Sequence, residues 1–146
     1  MPSPTPITYV IYIAASPEKV WEGFVSQETN RILFMGALLE SDWKPGSSIV
    51  WSGPGPEGKP VQYVHGTVLK FEPPKILQYT FATGEKGLES RATVELTPET
   101  EATKVTVTHD QWDEADSTYN ATADGWPRIL SRLKTLIETG KTFKPH

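Results

Sequence analysis

The chain has 146 residues, 14 Lys plus Arg against 18 Asp plus Glu, a net charge of −4 and no cysteine. That length suits one domain burying roughly 68% of its unfolded surface, and the lack of cysteine excludes disulfides, thiolate metal sites and cysteine nucleophiles. An acidic balance without a Lys/Arg stripe argues against nucleic acid, no apolar run reaches the roughly 18 residues of a membrane span, and the absence of a signal-peptide pattern predicts a cytoplasmic protein.

Met1 to Pro6 holds three prolines and reads as a flexible leader, with a single domain over 7–143. Ile7 to Ile13 is β-branched and aromatic, the mark of a strand. Ser16 then caps a helix with Pro17 at its first position and Glu18 near its positive end; Val20, Trp21 and Phe24 form its inner face. A second short helix starts at Ser26 and runs through Arg31, Ile32 and Leu33. Six strands follow, near 38–43, 47–52, 61–71, 75–82, 88–97 and 103–109. Turns at Lys44-Pro45-Gly46, Gly53 to Lys59, Glu72-Pro73-Pro74, Gly84 to Gly87 and Pro98 to Glu101 separate them. Such short connections predict antiparallel pairing.

Period-two alternation assigns faces. Leu77, Tyr79 and Phe81 share one face, as do Ser90, Ala92, Val94 and Leu96, and Val105, Val107 and His109. Their alternates are polar, so the sheet is covered on one side only. The cover comes last: Tyr119, Ala123, Trp126, Ile129, Leu130, Leu133, Leu136 and Ile137 recur at helical spacing as one apolar stripe, and Gly140 stops it. Pro127 inside that stripe predicts a bend, or a helix whose regular part begins there.

The order β-α-α-β6-α resembles the helix-grip fold of birch-pollen-allergen-like and START-related (SRPBCC) proteins. More narrowly, the chain resembles the activator of heat shock protein 90 ATPase homologue family in its stand-alone form. The matching blocks are Ala15 to Trp21, Ser41 to Gly46, Gly66-Thr67-Val68 with Pro73-Pro74, and Gly125-Trp126 leading to Leu133-Lys134 and Glu138-Thr139-Gly140. The resemblance implies an α+β fold, a curved antiparallel seven-stranded sheet wrapped around a long C-terminal helix. Its members include chaperone regulators, small-molecule carriers and resistance proteins, and with no shared catalytic motif it supplies no catalytic residue.

Candidate site residues come from the aromatics and histidines. Of fifteen aromatic residues, Phe34, Trp51, Tyr63, Tyr79, Phe81, Trp112 and Trp126 are expected to face the space between sheet and helix, with Leu130 beside them. An aromatic wall with a few polar groups describes a small-molecule pocket, and a filled core equally well. His109, at a strand end, is placed either to bond a ligand or to be satisfied by a backbone carbonyl or Asp110. His65 follows Tyr63 and carries the same two readings. No histidine spacing fits a zinc site, and no metal or cofactor is expected. Gly53-Pro54-Gly55-Pro56-Glu57-Gly58 matches G-x-G-x-x-G, but its prolines lack N–H groups and a strand follows, so it is read as a hairpin loop. Asp110, Asp113, Glu114 and Asp116 are read as negative charge favouring the start of the last helix.

The expected function is non-catalytic binding of a small hydrophobic or aromatic molecule by a carrier, sensor or resistance protein. Tyr63, Tyr79, His65 and His109 would orient the ligand, and the second helix and the Gly53–Lys59 loop are candidate gates. The alternatives are a chaperone-regulating module that docks on heat shock protein 90, taken from the resemblance, and a cyclase-type enzyme relying on His109. Monomer and homodimer both remain open.

Overall fold

The computed structural model describes residues 4–34, 36–83 and 88–144. The turn expected over Gly84 to Gly87 and the first three residues of the leader lie outside the described residues. Strand β1 (Ile7–Ile13) leads into α1 (Pro17–Val25) and α2 (Gln27–Leu33). Then come β2 (Leu38–Ser41), β3 (Ser48–Pro54), a short 3-10 turn (Pro56–Gly58), β4 (Pro60–Glu72), β5 (Ile76–Phe81), β6 (Ser90–Glu99), β7 (Ala102–Asp110) and the long α3 (Tyr119–Thr139).

All seven strands form one antiparallel sheet in the order β1-β7-β6-β5-β4-β3-β2. Six of the strands pair with their neighbour in sequence. The exception is β1, which closes beside β7 with Ile7 opposite His109 and Ile13 opposite Thr103. Strand β4 spans 13 residues and pairs with β3 at one end and β5 at the other. Gly66 sits where it passes between them, so close to β5 that a Cβ there would lie 1.8 Å from the Thr80 carbonyl oxygen. Only glycine allows that approach.

The caps follow the sequence. Ser16 Oγ accepts from Lys19 N at 3.2 Å, with Pro17 opening α1. Ser26 serves two helices: its N–H donates to Glu22 O at 2.8 Å to close α1, and its Oγ accepts from Thr29 N at 3.0 Å to open α2. Gly46 (φ +91°) takes the left-handed corner after Pro45, and Ser47 N closes the turn on Lys44 O at 2.9 Å. Gly140 (φ +83°) ends α3.

The inward faces are those the alternation predicts. Leu77, Tyr79, Ala92, Val94, Leu96, Val105 and Val107 are buried together with Leu130 and Leu133 of α3 in one core. Helix α1 reaches that core through Gly23, where a Cβ would lie 2.7 Å from Leu133 Cδ1. Helix α3 runs unbroken through Pro127, so it starts eight residues before the alternative boundary considered for it. The acidic stretch is also corrected in one member: Asp110 is held by Arg91 across β6–β7, at 2.9 and 2.7 Å, and so belongs to the sheet. Asp116 does serve the helix approach, accepting from Thr118 N and Oγ1.

Candidate functional site: an apolar cleft under the terminal helix

The stripe of α3 divides along its length. Leu130 and Leu133 are fully buried against the sheet. The N-terminal half instead presents Thr118, Ala121, Thr122, Gly125, Trp126 and Ile129 at three- and four-residue spacing, and its small members hold the helix surface back from β3, β4 and β5. The gap is a cleft of about 290 Å³, completed by Phe34, Trp51, Val64, Tyr79, Phe81 and Thr83. A smaller void of about 30 Å³ shares Phe34, Trp51, Tyr79, Trp126 and Ile129 with it and reaches back to Phe24 and Leu33. Protein interiors rarely leave gaps larger than a water molecule, so this is a space the fold keeps open.

A larger depression of about 710 Å³ lies elsewhere, lined by Glu40, Asp42, Ser48, Val50, Ser52 and Gln62 among others. Its β3 residues alternate with the buried Ile49 and Trp51 and so occupy the other face of the sheet. It is an open, mostly polar surface.

The aromatic walls are fixed from behind. Phe34, Trp51 and Tyr79 stand in sequence, with ring centroids 6.0 Å and 5.5 Å apart. The Trp51 indole N–H donates to Asn30 Oδ1 at 3.0 Å, and Asn30 Nδ2 donates to the carbonyls of Phe24 and Ser26. Across the cleft, the Trp126 indole N–H donates to His109 Nδ1 at 3.0 Å. An indole N–H only donates, so Nδ1 is unprotonated and the neutral ring carries its proton on Nε2. Nε2 lies 2.6 Å from Ser90 Oγ, which donates in turn to the Phe81 carbonyl at 3.3 Å. Trp112 stacks on the far side of His109 at 4.4 Å and donates to its carbonyl. Burial pushes the His109 pKa down to about 4, against a smaller upward pull from Asp110 and Asp116.

The ten residues singled out from sequence therefore separate into three groups. Phe34, Trp51, Tyr79, Phe81 and Trp126 line the cleft. His109, Trp112 and Leu130 lie behind its wall, fully or almost fully buried; both ring nitrogens of His109 are occupied, so neither is free to orient a ligand. Tyr63 and His65 are elsewhere. The Tyr63 ring is 40% exposed and lies over Gly53 with its hydroxyl on the Pro54 carbonyl. His65 follows Val64, which lines the cleft, and the pleat turns it to the opposite face. Asn30, Val64, Thr83, Thr118, Ala121, Thr122, Gly125 and Ile129 were not singled out. A signal existed for the helical ones, since small residues at 121, 122 and 125 flank the bulky stripe beside Trp126 and Ile129.

Among the described residues no group of His, Cys, Asp or Glu is arranged to hold a metal ion, and no helix is long and apolar enough to cross a membrane. The G-x-G-x-x-G segment is a hairpin connection, with Gly55 N bonded to Lys59 O at 2.8 Å.

The family described as activator of Hsp90 ATPase homolog 1-like protein matches residues 14–138. A solution structure of a protein from Cytophaga hutchinsonii superposes with a TM-score of 0.77 at 32% identity, covering 96% of this chain and 98% of that one. The Aha1 dimer from Colwellia psychrerythraea gives 0.74 at 23% identity over 94% and 98%. An HSP90 activator from Plasmodium falciparum gives 0.76 at 17% identity over 92% and 96%. No curated protein matches the sequence.

Proposed function

This chain belongs to the activator of Hsp90 ATPase homolog 1-like family, and within it we propose that the protein binds one small, predominantly apolar molecule in the cleft beneath α3, without chemistry. The observation that carries this reading is the 290 Å³ gap with its aromatic walls. A dry engineered cavity of about 150 Å³ takes a single benzene, so this one suits a ligand of two rings. Burial of the ligand's apolar surface supplies the affinity, at roughly 25 cal/mol per Å² before the costs of ordering. Trp51 and Trp126 are anchored by their N–H groups, so the walls are set before a ligand arrives. No catalytic role is assigned to His109, whose ring is neutral and fully bonded within the wall.

The test is thermal shift together with tryptophan quenching, using a panel of neutral two-ring aromatics. The expected result is a rise in Tm and a saturable quench. Neither signal at millimolar concentration would reject the proposal.

A second reading, regulation of a chaperone ATPase, is supported by the family description and by the HSP90 activator of the same fold. It predicts capture of the host's Hsp90 and a changed ATPase rate. Neither binding nor a rate change would dismiss it.

A further inference from the structure

Resting on the proposed ligand site, we infer that Tyr79 is its specificity determinant, selecting a neutral molecule that carries a hydrogen-bonding group on its buried end. The polar atoms of the aromatic wall and of the residues behind it account for themselves one by one. Trp51 Nε1 is bonded to Asn30, Trp126 Nε1 to His109, His109 Nε2 to Ser90, and Ser90 Oγ to the Phe81 carbonyl. The Tyr79 hydroxyl alone in this set has no hydrogen-bond partner among the described residues, although the residue is only 5% exposed. Its oxygen is nevertheless not sealed off, since no fully enclosed side-chain polar atom lacks a partner among those residues. The accessible space beside Tyr79 is the cleft and the small void behind it, both of which it lines.

A hydroxyl buried without a partner costs free energy that a paired one recovers. A ligand that covers this hydroxyl without bonding it leaves it unpaired, whereas a group that bonds it avoids that cost. The other polar side chains of the lining are Thr83, Thr118 and Thr122, with no Lys, Arg, Asp, Glu or His among them. A charged ligand group would enter with no counter-charge, which is strongly unfavourable. Burial also pushes the phenol's ionisation upward, so the group stays a neutral donor and acceptor at physiological pH. The chemical class is therefore a neutral, two-ring, largely apolar molecule bearing a hydroxyl, carbonyl or ring nitrogen.

Three probes of one shape test this: naphthalene, 2-naphthol and 2-naphthoate, followed through the Trp51 and Trp126 indole N–H resonances in the native protein and in Tyr79→Phe. The native protein should bind 2-naphthol about three- to tenfold more tightly than naphthalene, the effect of one net hydrogen bond, and 2-naphthoate at least as weakly as naphthalene. Tyr79→Phe should erase the 2-naphthol preference, bringing the affinities for naphthalene and 2-naphthol to about the same value. A preference that survives in Tyr79→Phe, or 2-naphthoate binding as well as 2-naphthol, overturns the assignment while leaving the cleft a ligand site. Absence of binding by all three to the native protein overturns the ligand site itself, and this inference with it.

Discussion

The Tyr9 hydroxyl on β1 donates to the Ala123 carbonyl on α3 at 2.6 Å, and Ala123 stands four residues before Pro127. A proline has no N–H to return to that carbonyl. The helix therefore continues through Pro127 because a strand supplies the missing donor. Tyr9→Phe should cost about 1 kcal/mol in chemical denaturation. In a Pro127→Ala background, where an amide is restored, the same change should cost less than about 0.5 kcal/mol. Equal costs in both backgrounds would break the link between the two residues.

The buried His109 makes stability depend on pH with a definite sign. Its pKa is about 4 in the fold and near 6.5 in an unfolded chain. Between those values the unfolded state binds the extra proton, so stability is complete above about pH 6.5 and declines as pH falls towards 4, by about 3 kcal/mol at most. The interval from 6.5 to 5 is the diagnostic one, because carboxylates titrate below it. His109→Asn should lower stability at neutral pH and flatten that interval. An unchanged slope would show that His109 is not held neutral.

Trp126 is both wall and lid of the core. Trp126→Ala should cost about 3 kcal/mol, at the low end for such a truncation because one side of the ring already borders the cleft. A loss below about 1 kcal/mol would contradict its burial.

Gly125 faces open space: a Cβ there would meet nothing within 4 Å. Gly125→Ala should stabilise the helix by about 0.5–1 kcal/mol, the propensity difference. Gly125→Leu should leave the fold intact yet abolish 2-naphthol binding by filling the gap. Undiminished binding in the leucine variant would place the ligand elsewhere.

Arg132 is buried with no carboxylate partner among the described residues, and donates to the carbonyls of Leu33 (2.5 Å), Ile32 (3.0 Å) and Phe143 (2.8 Å). Arg132→Met keeps the stem but strands three carbonyls, and should cost about 3 kcal/mol. Lysine should not rescue it, lacking the planar fork. Hydrogen exchange should accelerate in α2 before β6 and β7; uniform acceleration would speak against a local clamp.

The architecture was legible because its signals are local. Alternation placed Leu77, Tyr79, Ala92 and Val94 on the inner face, and Ser16 and Gly140 marked helix ends. The pairing of β1 with β7 joins residues about a hundred apart, and no local pattern specifies it. The site was half legible for a related reason. Aromatic identity picked out Trp51, Tyr79 and Trp126, but the irregularity in β4 between β3 and β5 decided which of Tyr63, Val64 and His65 looks inward. Alternation puts His109 on the inner face, but its ring bonds Ser90 and Trp126, not the backbone carbonyl or Asp110 expected for it. No local pattern specifies Trp126 as its partner, because that bond runs between a strand and a helix. The same holds for Asn30, its partner Trp51 lying 21 residues on.

Ser26 terminates one helix and begins the next, leaving no slack between the two axes. The pair is an elbow fused at a single serine, with Phe34 at the end of its forearm and Trp21 anchored in its upper arm. Helix α2 cannot swing aside as a free door to admit a guest. On the proposed ligand reading, entry past Phe34 requires α1 to move with α2 or the shared cap to break, whereas entry beside the small residues of α3 requires neither.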